Sequence, residues 1–364
     1  MDAKESIAPA ADSPADPHAV APALLDWYDR HRRDLPWRAK PGETPDPYRV
    51  WLSEVMLQQT TVATVRPRFL AWTQRWPTFA DLAAADEADV MAAWAGLGYY
   101  ARARNLLAAA RVIAAEHAGE LPCTEEALRR LPGFGAYTAA AVAAIAFGER
   151  AVVVDANVER VVARLFALPT PLPNARPTIR AATDTITPAT RAGDFAQAMM
   201  DLGQAVCTVR RPKCLLCPLQ PQCVGHAQGE PERYPVKKPK PDRPHRHGTI
   251  FWLTRDTPAG REVLLVRRPD KGLLGGMRAL PTGPWEVAQP GLAGAPAEAD
   301  WRMLNIQVSH GFTHFTLDLA LVTGEAHGPT PVVGEWWPIA LLGEAGLPTV
   351  FAKAAHAVLG MEAG

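Results

Sequence analysis

The sequence predicts a mainly α-helical domain followed by a smaller α+β domain. Three observations carry that expectation. From about Ala21 to Gly229 the chain is rich in Ala and Leu at helical spacing, interrupted by Pro and Gly. Residues 230–247, EPERYPVKKPKPDRPHRH, contain five prolines among repeated basic residues, the composition of a stiff, solvated linker. Beyond it, TIFWLTR, EVLLVRR and FTLDLALVT are short β-branched or aromatic runs bounded by turns.

Helices are expected over 21–32, 48–65, 66–75, 86–95, 101–117, 125–131, 137–147, 156–167, 176–189 and 194–206, with a last one over 348–359. The domain spans are therefore 21–229 and 248–364, joined by 230–247. Residues 1–20 are acidic and Pro-rich without an apolar core, and read as a disordered tail rather than a signal peptide. The longest apolar run, near Ala139–Phe147, is too short to cross a bilayer. A bacterial cytoplasmic protein with no membrane partner is the expectation. The 364 residues suffice for two cores, and 48% hydrophobic content excludes a disordered chain. With 38 basic and 38 acidic residues the net charge is zero, so bulk charge gives no case for nucleic acid; any such case rests on local patches.

Four of the five cysteines, Cys207, Cys214, Cys217 and Cys223, form C-x6-C-x2-C-x5-C, while Cys123 stands alone. An odd, clustered set without a secretion signal points to metal ligation rather than disulfides. Thiolates suit an iron–sulfur cluster or zinc. Zinc sites commonly pair two C-x2-C knuckles across a longer loop, whereas here one compact loop supplies all four sulfurs, favouring one 4Fe–4S cluster. Arg210, Arg211 and Lys213 lie within that loop, and Lys237, Lys238, Lys240, Arg243 and Arg246 come after it. Such a patch can neutralise phosphates, although a charge run is more often only a solvated face.

LRRLPGFGAYTAAAVAAIAFG, Leu128 to Gly148, reads as helix, tight turn, helix. Pro132 ends the first helix, and Gly133 and Gly135 permit a sharp turn with close backbone approach. The second helix then starts with free N–H groups beside two residues without side chains, which is an anion site suited to a DNA phosphate. A second unusual stretch is WLSEVMLQQTT. From Val50 to Val65 the only ionisable side chain is Glu54. At about 100° per residue, Glu54, Gln58 and Thr61 share a polar sector, while Gln59 falls in the apolar arc and needs a buried partner. Most glutamates are on the surface; these uncharged surroundings argue otherwise for Glu54.

LPGFGAYTA resembles the helix-hairpin-helix of the endonuclease III superfamily of DNA glycosylases. The Cys loop resembles that superfamily's iron–sulfur loop, and VVVDANVERVVARL resembles the segment carrying its essential aspartate, here Asp155. Bifunctional members place a Schiff-base lysine two residues after the hairpin's second glycine. Tyr137 stands there, and a phenol cannot form that imine. WLSEVMLQQT, with LPWR and GLGYYARARNL, is similar to the MutY-type adenine DNA glycosylases. That resemblance implies Glu54 as the acid protonating the departing adenine and Asp155 as the carboxylate facing the sugar cation, as in glycoside hydrolysis. Tyr137 and Asn157 are implied to position Asp155 and the sugar. Trp37, Arg38, Leu57, Gln59 and Asp201 are implied around the adenine. Gln58, Thr60, Gly98, Tyr99, Gly133 and Gly135 are implied at the DNA, with Gln58 and Tyr99 wedged into the stack once the base is flipped. Without the resemblance, Asp155 reads as an N-cap of the Val158, Val161, Val162, Leu165 helix.

RRPDKGLLGGMRALPTGPW resembles the Nudix-like C-terminal domain of the same enzymes. No G-x5-E-x7-R-E-x2-E-E pattern occurs after Gly275, so a Mg²⁺-dependent pyrophosphohydrolase is not expected. In VSHGFTHFTLDL, Phe312, Thr313 and His314 resemble the family's Phe-Ser-His loop that reads 8-oxoguanine. The expectation is a monomeric, monofunctional glycosylase removing adenine opposite 8-oxoguanine or guanine in double-stranded DNA. Its rivals are an endonuclease III-type glycosylase/lyase and a non-catalytic lesion-binding protein.

Overall fold

In the computed structural model, which describes residues 16–238, 243–269, 272–312, 314–328 and 332–362, the chain divides into two units, Met1–Pro239 and Lys240–Gly364. In the first unit the helices are α1 (Pro17–His31), α2 (Pro47–Met56), α3 (Val62–Arg75), α4 (Phe79–Ala83), α5 (Glu87–Ala93) and α6 (Ala101–Glu116). They continue with α7 (Glu125–Leu128), α8 (Ala136–Phe147), α9 (Ala156–Leu165), α10 (Arg176–Ile186), α11 (Ala192–Ala205) and α12 (Val224–Ala227).

Helix α8 is apolar on every face, and Thr138 to Ala146 are all buried, which makes it the central helix of the unit. Its alanines let neighbours approach closely. A Cβ on Gly193 of α11 would lie 2.3 Å from the Ala144 carbonyl oxygen, so only glycine fits that crossing. One core joins α8 to α2, α3 and α6 through Trp51, Phe69, Trp94 and Leu106. A second joins α1, α9, α10 and α11 through Leu24, Tyr28, Val158, Val162 and Leu202.

Three expectations change. Helix α1 begins at Pro17, capped by Asp16, so residues 17–20 are helical rather than part of a tail. The expected helix 48–65 is two helices: α2 stops at Met56, Gln59 takes a left-handed φ of 56°, and Thr61 caps α3 by accepting from Thr64 N. The linker is shorter than 230–247. Tyr234 is buried, Leu172 N donates to Val236 O at 2.8 Å, and strand β1 starts at His245.

The second unit contains β1 (His245–Thr257), β2 (Gly260–Arg267), β3 (Arg278–Ala279), β4 (Arg302–Gly311), β5 (Thr316–Glu325), β6 (Glu335–Pro338) and α13 (Thr349–Glu362). The sheet order is β3-β2-β1-β5-β4, with β6 also on β2. Strands β1 and β5 run parallel, and the other pairs are antiparallel. Its core includes Trp252, Leu265, Leu319, Leu321 and Phe351. Among the described residues no helix is long and apolar enough to cross a membrane.

Candidate active site

Glu54 lies on α2 within the first core and is 7% exposed. Tyr137, in the first turn of α8, donates its hydroxyl to Glu54 Oε2 at 2.5 Å. Burial raises the Glu54 carboxyl from its ordinary 4.5 to about 7; the Asp155 charge adds to the rise, while the Tyr137 bond and the Arg38 charge oppose it. A carboxyl poised there holds a proton near neutral pH and can give it up. Asp155 caps α9: Oδ1 accepts from Val158 N at 2.7 Å and Oδ2 accepts from Asn157 Nδ2 at 2.8 Å. The cap and the fixed carboxylate are thus one arrangement. The two carboxyl groups thus occupy different environments, one buried and one at a helix N-terminus.

A small cavity of about 50 Å³ opens onto Glu54, with Trp37, Arg38 and Leu57 on its walls. Asp201 does not line it. Asp201 is 2% exposed and accepts from Arg33 Nε at 2.6 Å and from Arg38 Nη1 and Nη2 at 2.6 and 2.9 Å. Burial opposes the Arg38 charge, and the Asp201 bonds more than offset it. Asp201 therefore acts on the cavity by holding Arg38. Gln59 also departs from expectation: it is exposed and lines no part of the cavity, because the chain turns left-handed there. Gln58 instead reaches inward, with Nε2 donating to Thr138 Oγ1 at 3.2 Å. Thr60 is half-buried in the same turn, its hydroxyl on the Gln58 carbonyl.

Gly133 has a φ of 74°, and a Cβ there would lie 2.8 Å from Asn105 Cβ, so the hairpin requires glycine. Gly135 is the N-cap of α8, and no side chain caps that end, which leaves its first N–H groups for an anion. On a nearby loop Gly98 and Tyr99 take φ of 69° and 48°, and the Tyr99 side chain is 59% exposed. Arg102 fastens this loop to α2, donating to Leu97 O at 2.8 Å and to Val55 O at 2.7 Å.

The four clustered cysteines line one cavity with Arg164 and His226. All four are described residues, yet the one trio of metal-ligating groups within 4.8 Å of one another among the described residues lies elsewhere, at His245, His247 and Asp318. Without a metal, burial pushes the Cys217 thiol up to about 12 and the Cys223 thiol up to about 11. Arg164, 2% exposed, braces the loop: Nη1 donates to Cys207 Sγ at 3.3 Å and to Thr208 O at 2.7 Å, and Nε to Tyr234 O at 3.0 Å.

Residues 52–185 match the model of the HhH-GPD superfamily base excision DNA repair proteins, and 251–357 match a NUDIX domain. The human adenine DNA glycosylase is 36% identical over 85% of this chain and 67% of its own length. That of Mycobacterium tuberculosis is 42% identical over 67% of this chain and 77% of its own. The chain belongs to the adenine DNA glycosylase family. It spans 46% of the Arabidopsis thaliana relative, which is 40% identical. A thermostable thymine-DNA glycosylase structure superposes with a TM-score of 0.51 at 29% identity, covering 57% of this chain and 95% of its own.

In this adenine DNA glycosylase family member the carboxylate Asp155 is wired to the cysteine loop. Arg160 Nη2 donates to Asn157 Oδ1 at 2.9 Å and Gly203 O at 2.6 Å, while Nε donates to Cys207 O at 2.8 Å. Arg102, Arg160 and Arg164 lie within the quoted motifs, but neither they nor Arg33 were singled out from the sequence. An arginine inside an apolar helix stripe, as at Arg164 in RVVARL, is the one hint available. Gly203 packs against this link, since a Cβ there would lie 2.7 Å from Asn157 Cβ. Gly203→Ala is expected to slow base release on the order of a hundredfold by shifting Asn157 and Asp155, with iron content retained. Single-turnover kinetics beside iron analysis checks this; a wild-type rate would show that Asn157 tolerates the displacement.

In the second unit Phe312 packs against Trp285, Phe315 and His310, with ring centroids 5.8, 4.9 and 4.5 Å away. His314 is exposed, and Thr313 lies outside the described residues.

Proposed function

We propose that this chain excises adenine opposite 8-oxoguanine or guanine in double-stranded DNA by hydrolysis, without a covalent lysine step. The observation that carries this is the Glu54 carboxyl, raised to about 7 beside its cavity and bonded to Tyr137, with Asp155 held as the second carboxyl. Adenine is a poor leaving group as an anion. Glu54 protonates its N7, the N-glycosyl bond breaks, and the base departs neutral. Asp155 stabilises the positive charge on C1′ until water adds there, its surplus proton returning to the Glu54 carboxylate left by the first step. Tyr137 holds Glu54, and Asn157 holds Asp155. Trp37, Arg38 and Leu57 surround the base, and Asp201 fixes Arg38.

The α8 N-terminus beyond Gly133 and Gly135 suits a phosphate. The exposed, left-handed Gln59 and Tyr99 suit entry into the base stack, a role that passes from Gln58 because Gln58 is engaged with Thr138. Cys207, Cys214, Cys217 and Cys223 would hold one 4Fe–4S cluster, which when bound cross-links their loop. Phe312, Thr313 and His314 of the second unit are assigned to the lesion strand by their likeness to the family's loop.

Single-turnover release of free adenine from an A:8-oxoguanine duplex, with no borohydride-trapped adduct, is the expected result. Efficient trapping would favour an endonuclease III-type lyase. Tight binding of the duplex without adenine release would favour a lesion-binding protein.

A further inference from the structure

Strand pairing in the second unit gathers three ligating side chains that the glycosylase reaction does not use. His245 and His247 are two apart on β1 and so share a face of the sheet. The parallel register sets His245 opposite Thr316 and His247 opposite Asp318 on β5. On the other side of β5, Ser309 of β4 lies opposite Asp318. All five side chains therefore belong to one sheet face across three neighbouring strands. One ligand atom each from His245, His247 and Asp318 lies within 4.8 Å of the others.

We propose that His245, His247 and Asp318 form a divalent transition-metal site, with zinc its natural occupant. Two imidazoles and one carboxylate, with no thiolate, are a donor set typical of three-ligand zinc sites that complete their shell with water. The pair His245 Nε2 and Asp318 Oδ2 is 2.9 Å apart. Ligand bonds of ~2.0–2.2 Å put neighbouring donors of one ion about 3 to 3.5 Å apart, so this pair is already spaced for it. One ring nitrogen of His247 lies within 4.8 Å of both.

The surrounding bonds are those a metal site requires. His245 Nδ1 is held at 2.8 Å by Thr316 Oγ1, which leaves Nε2 to face the ion. Ser309 Oγ donates to Asp318 Oδ1 at 2.6 Å, which leaves Oδ2 to ligate. The strand alternation turns Arg246 to the opposite face, where its guanidinium lies over the Phe315 ring. The ion would tie the first residues of β1, where the chain enters the second unit, to the start of β5, directly after Phe312 and His314. It would thus clip the base of that loop across about 70 residues of chain.

The test uses the full chain with its iron cluster, stripped of loose metal by a chelator and dialysed against zinc alone. Iron and zinc are measured in the same sample, so zinc entering the cysteine loop is recognised by iron loss. The wild type is expected to take up about one zinc at constant iron. His247→Ala and Asp318→Asn are each expected to take up none. Ser309→Ala, which removes no ligand, is expected to weaken uptake about tenfold while leaving the ligands in place. Equal zinc in the wild type and the two ligand variants overturns the proposal, and so does a wild type that binds none.

Discussion

Glu54→Gln is expected to slow adenine release about a thousandfold, within the range that a positioned acid contributes. The amide keeps the shape and can still accept the Tyr137 hydroxyl, so the cavity persists and the proton alone is lost. Wild-type release is expected to fall as pH rises through about 7, because the protonated form is the active one. Stability carries the same sign. The folded carboxyl titrates near 7 and the unfolded one near 4.5, so stability present below pH 4.5 is lost as pH rises through 7. That loss is on the order of 3 kcal/mol for a shift of this size. Glu54→Gln escapes it, and is expected to melt several degrees above wild type at pH 8, with the gap narrowing towards pH 4.5. Thermal melts at two pH values and a pH–rate profile check both. A variant that releases adenine at the wild-type rate, or a profile flat through pH 7, would remove Glu54 from the role.

Asp155→Asn separates the two jobs of that residue. Asparagine caps a helix as well as aspartate, so Val158 N keeps its partner. One amide of the altered pair loses its acceptor, and stability falls by about 1 kcal/mol. The negative charge proposed to face the sugar is gone, and base release is expected to fall at least a thousandfold, since preorganised electrostatics of this kind act directly on the transition state. If capping were the whole role, the variant would work nearly normally below its melting temperature. Rates and melts on the same preparation distinguish the two.

The burial of Glu54 and the capping position of Asp155 were legible in sequence because each sits in a local signature, whereas their pairing came from the family resemblance. Glu54 stands in an uncharged stretch, and Asp155 opens a valine-striped helix. The cysteine loop was legible for the same reason. The outward turn of Gln59 and the inward reach of Gln58 were not. No Pro or Gly lies between Met56 and Thr61, so helical periodicity runs on across a turn that the backbone makes at Gln59. Strand β4 was missed although Leu304, Ile306 and Val308 alternate along it, because polar neighbours dilute the run. Arg33, Arg102, Arg160 and Arg164 were illegible for a tertiary reason. Their partners are carbonyls, a thiol and the Asp201 carboxylate, most of them tens of residues away, and apart from the apolar stripe around Arg164 nothing local marks them.

The first turn of α8 carries two functions within three residues. Gly135 and the N–H groups after it offer the anion seat, and Tyr137 reaches Glu54 from the same turn. Each residue inserted into a helix rotates the side chains beyond it by about 100°. An insertion between Gly135 and Tyr137 would leave the phosphate seat intact and swing the phenol away from the acid. The spacing of that tripeptide is therefore a ruler: it sets the phenol that holds the acid relative to the open end of the helix. Changes of length there are expected to yield proteins that hold DNA yet leave adenine in place.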